Sequence, residues 1–345
     1  MPRYASPAAI KVGVIGYGGA FNMGRQHLNE MKTAGMTPTA VCEVDPTRLA
    51  VATTDFPGIE TYATVEEMLA KSKVDLLVII TPHNTHADLA VKCLNAGKHV
   101  VCEKPLAITT AECDAMIAAA KKSGVMVSTY HNRHWDGWIL NAVKRIKQDK
   151  AIGDVYRIEL HMGGHGQPGE WWRTSKTISG GILYDWGVHL LEYALQLIDS
   201  DITEVSGYAK RGHWADKTKW KADTNEDEGK AVVRFANGAW IDLTISSLDA
   251  NPKAGFVEVS GTKGTFLIDW SQWHLIVPGA DGDVVTTKGK HPNGEGDKLY
   301  KNIAAHLTTG EALVITAEWA RRPIHILDLA DQSAKKGVAM KATYK

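Results

Sequence analysis

Apolar and polar positions alternate in a regular way between residues 10 and 130. Five short runs have the length and apolar character of strands, at residues 10–15, 39–44, 76–80, 99–102 and 125–129. Segments with helical spacing separate them, at residues 24–33, 46–54, 65–71, 87–95 and 111–122. The runs are almost continuously apolar, as strands are when helices cover both faces of a parallel sheet. This part of the chain is therefore predicted to be an α/β domain with a parallel sheet.

The pattern changes after residue 155, where apolar and polar side chains alternate with a period of two. Residues 155–160 show this alternation most clearly, and an apolar helix is predicted at residues 188–198. Alternation of this kind favours an open, mainly antiparallel sheet with helices on one face, which is an α+β arrangement. We expect two domains, residues 1–134 and residues 135–345, with the final helix able to pack back on the first domain.

A glycine-rich turn follows the first predicted strand. Glycine lets the backbone approach a pyrophosphate, which then binds the amides at the N-terminus of the next helix. The strict G-x-G-x-x-G spacing fails at Phe21, but it resumes at Gly24 if residues 20–22 are an insertion. A Rossmann-type dinucleotide site is therefore expected in the first domain. Its contacts are predicted at Gly16, Gly18, Gly19, Asn22 and Met23.

Two acids, Glu43 and Asp45, follow the second predicted strand. A carboxylate at this strand end accepts hydrogen bonds from the adenosine ribose and repels a 2′-phosphate, which favours NAD over NADP. Capping of the helix that begins at Pro46 explains Asp45 better than Glu43. We therefore assign Glu43 to the ribose. Arg48 lies nearby as a candidate ligand for a 2′-phosphate, so NADP stays open.

Polar residues also follow the next two predicted strands, where ligands bind in a parallel sheet. The candidates for contact with the cofactor are Thr81, Pro82, Asn84, His86, Glu103 and Lys104. Lys104 precedes Pro105, which biases its backbone away from helical dihedrals, so its ammonium is also a candidate for contact with the substrate. Two other interpretations stay open: Asn84 or Thr85 also fits a helix cap, and Glu103 with Lys104 also fits a surface ion pair.

In the second domain, Asp185 and His189 are four residues apart and share one face of a helix. A histidine beside a carboxylate can accept a proton near neutral pH. The alternative is a capping aspartate with a buried structural histidine. His189 and Glu192 also have a spacing that metal ligands use, but no third ligand has a suitable spacing. We therefore expect no metal.

Together these motifs resemble the Gfo/Idh/MocA (glucose–fructose oxidoreductase/inositol dehydrogenase) family over residues 10–341. The family's strand-end Glu-Lys-Pro is residues 103–105, its Thr-Pro-x-x-x-His is residues 81–86, and its Asp-x-x-x-His begins at Asp185. The resemblance implies an NAD(P)-dependent dehydrogenase that acts on a hydroxyl carbon of a sugar, inositol or glycoside.

The resemblance also implies catalytic roles. Lys104 would stabilise alkoxide character on the reacting hydroxyl, Asp185 would orient the carbinol, and His189 would take its proton. Residues 130–136, together with Trp172 and Arg173, resemble scyllo-inositol dehydrogenases and related sugar reductases in particular. Candidates for the remaining substrate hydroxyls are Arg133, His165, Trp172, Arg173 and Lys176. For each of these five, a structural role is an equal alternative.

Two other functions remain open at this point. One is a glycosidase or lyase that retains NAD and acts by transient oxidation and elimination, with His165 or Tyr184 as an additional base. The other is a non-catalytic NAD(H)-binding sensor, although such a protein has no need of an acid–base set. The substrate, the carbon that reacts and the direction of the reaction are not determined by the sequence.

Composition narrows the range of partners. Basic and acidic residues balance at 39 each, so no net field attracts nucleic acid or an anionic membrane. No apolar run has the length of a membrane span, and residues 1–7 lack the apolar core of a secretory signal. The scattered cysteines indicate reduced thiols, so a cytoplasmic location is expected. The open sheet suggests a homodimer or homotetramer formed through the second domain.

Overall fold

The computed structural model describes residues 3–343. Residues 1–2 and 344–345, and with them the outer ends of both expected domains, lie outside the described residues. The described chain divides into two compact units. The first contains the residues up to Asn132 together with Asp297–Arg321, and the second contains Arg133–Gly296 and the residues from Arg322 onward.

The strands form two sheets. Six strands belong to the first unit: β1 (Lys11–Ile15), β2 (Thr37–Cys42), β3 (Glu60–Tyr62), β4 (Leu76–Ile79), β5 (His99–Cys102) and β6 (Val127–Thr129). Nine belong to the second: β7 (Val155–Gly163), β8 (Ile202–Lys210), β9 (Glu228–Phe235), β10 (Trp240–Ser246), β11 (Gly255–Gly261), β12 (Gly264–Asp269), β13 (Gln272–Pro278), β14 (Val284–Lys290) and β15 (Met340–Lys341).

The helices connect or cover these strands. Those of the first half are α1 (Met23–Thr33), α2 (Pro46–Asp55), α3 (Val65–Lys71), α4 (His86–Asn95) and α5 (Thr110–Ser123). The others are α6 (Gly137–Val143), α7 (Lys176–Ser179), α8 (Gly187–Leu197), α9 (Lys298–Thr309) and α10 (Ala317–Lys336). No helix within residues 3–343 combines the length and the apolar character that crossing a bilayer requires.

The first sheet is parallel throughout, in the order β3-β2-β1-β4-β5-β6. The order reverses between β1 and β4, which is the switch point at which doubly wound sheets bind dinucleotides. Every residue of β4 and β5 is buried, so these central strands are covered on both faces. The parallel α/β fold predicted from the apolar runs is confirmed.

The second sheet has the order β14-β13-β12-β11-β7-β10-β9-β8-β15. Among the described residues, β7 and β10 alone pair in parallel, and the other neighbours are antiparallel. Helix α8, which is buried along almost its whole length, packs against β7 and β10. The mainly antiparallel sheet with a helical layer is therefore confirmed, and α8 brings His189 to this layer.

Residues 297–321 lie in the first unit, although the domain division by sequence placed them in the second. Side-chain contacts to the first sheet and its helices explain this position. The Tyr300 hydroxyl lies 2.6 Å from His27 Nδ1, and Ser128 Oγ donates to the Ile315 carbonyl at 2.7 Å. Arg321 donates to both carboxylate oxygens of Asp114, at 2.6 and 3.0 Å. None of these long-range contacts has a local signal in the sequence.

A buried histidine begins β5. His99 Nδ1 accepts a hydrogen bond from the Met126 amide at 2.9 Å, which requires the neutral imidazole. Burial lowers the pKa of His99 from 6.5 to about 4. The unfolded chain therefore binds a proton at this position between these two pH values, whereas the folded chain does not.

We predict that this histidine makes the fold acid-sensitive. As the pH falls from 6.5 to 4, protonation of His99 in the unfolded state should lower the free energy of unfolding by about 3 kcal/mol. His99→Asn keeps an acceptor but does not titrate, so its stability relative to the native chain should rise over this interval. Urea unfolding at a series of pH values measures the difference. An exposed control, His213→Asn, should follow the native chain, and a pH-independent difference for His99→Asn would contradict the prediction.

Candidate active site

The glycine turn after β1 has the backbone geometry that only glycine adopts easily. Gly16 has a φ of +104°, and a Cβ atom there would lie 2.3 Å from the Ile80 carbonyl oxygen. Helix α1 begins at Met23, and a Cβ on Gly24 would lie 2.6 Å from the Tyr17 ring. Gly24 thus allows the close helix–strand packing that the third glycine of the motif provides, and residues 20–22 lengthen the turn before it.

The other predicted residues of the turn include Gly18, Gly19 and Asn22, which lie on an exposed stretch of backbone beside Arg48. Gly18 is exposed and has open space where a side chain would be. Gly19 faces the Arg48 guanidinium, whose Nε donates to the Tyr17 carbonyl at 2.9 Å. Arg48 Nη2 also donates to Asn22 Oδ1 at 3.3 Å. Arg48 therefore supports the turn, a role that its position in the sequence did not reveal.

The two acids after β2 have different roles. Glu43 accepts hydrogen bonds from the Tyr17 amide at 2.6 Å and from the Asp45 amide at 3.1 Å, so its carboxylate is fixed beside the glycine turn. Asp45 caps α2 by accepting from the Thr47 amide. The hydrogen bonds from Thr47 hold the pKa of Asp45 below its ordinary value. With Gly16 and Gly24 in place, this arrangement fits the pyrophosphate and ribose of a dinucleotide.

The strand ends of β4 and β5 are joined by a buried histidine. His86 Nε2 lies 2.9 Å from the Thr81 carbonyl and His86 Nδ1 lies 2.8 Å from the Pro105 carbonyl. Burial lowers the pKa of His86. The prediction that the His86 ring lines the cofactor is corrected, because its side chain is fully buried between two turns of its own chain. Thr81 and Pro82 are half-buried and Asn84 is exposed at this edge.

Glu103 anchors the second of these strand ends. One carboxylate oxygen lies 3.0 Å from His27 Nε2, and the other accepts from the Lys104 amide at 2.9 Å. Burial alone would raise the pKa of Glu103, but the His27 hydrogen bond and the charges of His27 and Lys104 outweigh it and lower the pKa. Glu103 therefore holds Lys104 in position, and Lys104 itself is half-buried, with a cis peptide bond to Pro105.

In the second unit, Asp185 lies just before α8 and His189 lies in its first turn. Arg173 Nη1 donates to Asp185 Oδ1 at 2.6 Å, so the carboxylate forms an ion pair. His189 is 5% exposed, and its ring contacts the edge of Trp186 at 5.8 Å. The alternative in which Asp185 is the N-cap of α8 is not realised, because Trp186 occupies that position.

Two further predicted residues lie around Trp186 and Asp185. The Arg133 guanidinium lies 4.9 Å from the centre of the Trp186 ring and donates to Asp136 at 3.1 Å. Trp172 stacks beside Arg173, with 5.2 Å between the ring centre and the guanidinium carbon. Arg133 thus contacts Trp186, and Trp172 contacts the arginine that pairs with Asp185, while their contact with substrate stays a prediction. Trp186 lies between the two motif residues but was not among the candidates.

The other two substrate candidates lie elsewhere in the second unit. Lys176 Nζ binds Glu226 at 2.8 Å and Asp331 at 2.9 Å, so its charge is already paired inside the unit. These ion pairs favour the structural alternative for Lys176, and its contact with substrate stays a prediction. His165 is exposed, and its ring contacts Trp214 at 5.8 Å. The acids that pair with Lys176 are distant in the sequence, which explains why the residue pattern did not predict them.

Comparisons with known proteins agree with this geometry. A model described as "Oxidoreductase family, NAD-binding Rossmann fold" matches residues 10–131, and one described as "GFO/IDH/MocA C-terminal domain" matches residues 140–267. The chain is 25% identical over 343 residues to scyllo-inositol 2-dehydrogenase (NADP(+)) of Bacillus subtilis, covering 95% of this chain and 94% of the relative. It is 27% identical over 266 residues to myo-inositol 2-dehydrogenase of Thermotoga maritima, with 75% of each chain covered.

The solved structures include an NAD-binding protein from Listeria innocua. It is 27% identical, has a TM-score of 0.80, and the match covers 96% of this chain and 97% of that one. The two family models together match more than half of the chain, on both sides of the domain division. The chain therefore belongs to the Gfo/Idh/MocA family of oxidoreductases, as the motifs at Glu103 and Asp185 indicated.

Proposed function

We propose that this protein is an NAD(P)-dependent oxidoreductase that transfers a hydride between nicotinamide and a hydroxyl carbon of a sugar, inositol or glycoside. The observation that carries the proposal is the grouping of Asp185, His189 and Arg133 around Trp186. These side chains offer a base, an acceptor and a donor for the hydroxyls of a small polar ring. The family membership and the inositol dehydrogenases among the relatives support the same chemistry.

In alcohol oxidation, different residues of the chain would have different roles. Bound NAD(P)⁺ supplies the hydride acceptor. The family resemblance assigns the acceptance of the hydroxyl proton to His189 and the stabilisation of developing negative charge to Lys104. Asp185 orients the carbinol, and its ion pair with Arg173 holds the carboxylate in place. Glu103 does not react, because its two oxygens bind His27 and the Lys104 amide.

His189→Ala should remove the proposed base. We expect kcat with the true substrate to fall by about 100-fold or more, because general-base catalysis contributes on that order. Dinucleotide affinity should not change. Reduced nicotinamide formed with a panel of polyols, sugars and glycosides measures turnover, and a thermal shift with NAD measures binding.

His213→Ala is the matched control, since it removes an exposed histidine from the same unit. Turnover of His189→Ala within a few-fold of the native rate would contradict the base assignment. Release of product from a glycoside without net reduced nicotinamide would instead indicate redox-neutral elimination. Absence of both products across the panel would favour a binding protein that has lost catalysis.

The dinucleotide preference should depend on Glu43 and Arg48. Glu43→Gln keeps an acceptor for the Tyr17 amide but removes the charge that repels a 2′-phosphate. The ratio of kcat/KM for NADP to that for NAD should therefore rise by about tenfold. Arg48→Ala should lower the same ratio, because the guanidinium beside Gly19 is removed. An unchanged ratio in both variants would exclude these two residues as determinants.

We also propose that the second sheet joins copies of the chain. Its face away from α8 carries interleaved charges, including Lys230 paired with Asp242 at 2.7 Å and Arg157 beside Glu258 at 3.5 Å. Mixed charges on one flat face can complement themselves across a two-fold axis. Light scattering at micromolar concentration should give a dimer or tetramer mass. A monomer mass for the native chain would contradict the proposal.

A further inference from the structure

An open cavity of about 370 Å³ lies in the second unit, near the start of α6 and the turn between β12 and β13. Its volume falls in the range of sites that hold small organic molecules. The residues that line it combine aromatic rings with a few polar groups. They include Asp136, Trp138, Trp270, Ser271, Lys290 and His291.

Two indoles form the apolar walls of this cavity. Trp270 is 55% exposed, although it lies against Phe256 with ring centres 4.5 Å apart. Trp138 meets Trp270 at 86°, with ring centres 6.3 Å apart, so the two rings form a corner. One side of the Trp270 ring packs on Phe256 and much of the ring is exposed, so a ligand can stack on it. The C–H face of a pyranose carries partial positive charge and fits the negative face of an indole.

The polar groups of the cavity suit a neutral, hydroxylated ligand. Within residues 3–343 the Lys290 ammonium has no hydrogen-bond or ion-pair partner and is free to donate. Asp136 accepts from Arg133 and from the Tyr193 hydroxyl, at 3.1 and 2.7 Å, which leaves its charge compensated. The cation is Lys290 and the compensated anion is Asp136, so the electrostatic field inside the cavity is weak. A few polar groups among aromatic walls fix the orientation of a ligand rather than attract a multiply charged one.

Trp186 connects this cavity to the proposed catalytic group. Its ring contacts Trp270 at 5.7 Å on one side and His189 at 5.8 Å on another. Arg133 covers Trp186 and also binds Asp136, which lines the cavity. The Trp186 ring therefore separates the cavity from the proposed base, His189. A substrate with two linked sugar rings is long enough to place one ring beside His189 and the other in the cavity.

We infer that this cavity is a binding site for the second pyranose ring of a glycoside or disaccharide whose other ring is oxidised at His189. The inference rests on the proposed function and specifies its substrate class. Trp270 stacks on the second ring, and Lys290 donates to one of its hydroxyls. No bond in this ring changes, so the site contributes to affinity and not to chemistry.

Steady-state kinetics with paired substrates tests the site. Glucose and galactose are compared with maltose, cellobiose and lactose, and the native chain should show a lower KM for at least one disaccharide. Trp270→Ala should raise that KM by about five- to tenfold, since one aromatic stacking contact is lost. The KM for the monosaccharide should stay within twofold. Trp319→Ala removes a tryptophan from α10 in the first unit and should leave both values unchanged.

Lys290→Ala provides a second test if Trp270→Ala folds poorly, because Lys290 is exposed at the end of β14. It should raise the disaccharide KM alone. Saturation-transfer NMR with the same disaccharides and NAD reports binding without turnover, so loss of the subsite and loss of the proposed reaction are distinguished. Disaccharide binding that depends on Trp270 without turnover would keep the subsite and reject the reaction. No preference for any disaccharide, or equal effects on both substrate classes, would overturn the inference.

Discussion

The Glu103 carboxylate, whose side chain is 13% exposed, is the constraint on which the functional edge of the first unit depends. A charge at the end of a covered parallel strand is costly unless it is compensated. Here His27 of α1 and the Lys104 amide provide the compensation, at 3.0 and 2.9 Å. The same histidine contacts the Tyr300 hydroxyl of α9 through its other nitrogen, at 2.6 Å. One carboxylate therefore links three segments that are far apart in the sequence.

This linkage explains how a lysine on a short turn acquires a defined position. Lys104 follows β5 directly, and its backbone amide is bound by the side chain of the preceding residue. The Pro105 carbonyl on its other side is bound by His86. The backbone of Lys104 is thus held from both sides. Preorganisation of this kind is what a group that stabilises developing charge needs.

Much of this arrangement was predictable from local sequence, and the rest was not, for physical reasons. Continuous apolar runs indicate strands covered on both faces, and a glycine turn followed by an acid indicates a dinucleotide site, because each signal lies within a few neighbouring residues. His86 and Lys176 were assigned to ligands although the structure pairs them with the chain itself. Their partners, the Pro105 carbonyl and Asp331, become neighbours only in the folded chain. Residue type alone does not reveal such pairings.

The two units also differ in how strongly packing restricts the residues at their candidate binding sites. In the first, Gly16 and Gly24 lie so close to backbone or ring atoms that any side chain would clash, so these two positions of the cofactor site require glycine. In the second, Trp270 lies on a hairpin turn and Lys290 at the end of a strand near the sheet edge. Turns and sheet edges can change their side chains without altering strand register. The aromatic and polar groups around Trp186 can therefore vary while the Glu-Lys-Pro and Asp-x-x-x-His motifs stay the same.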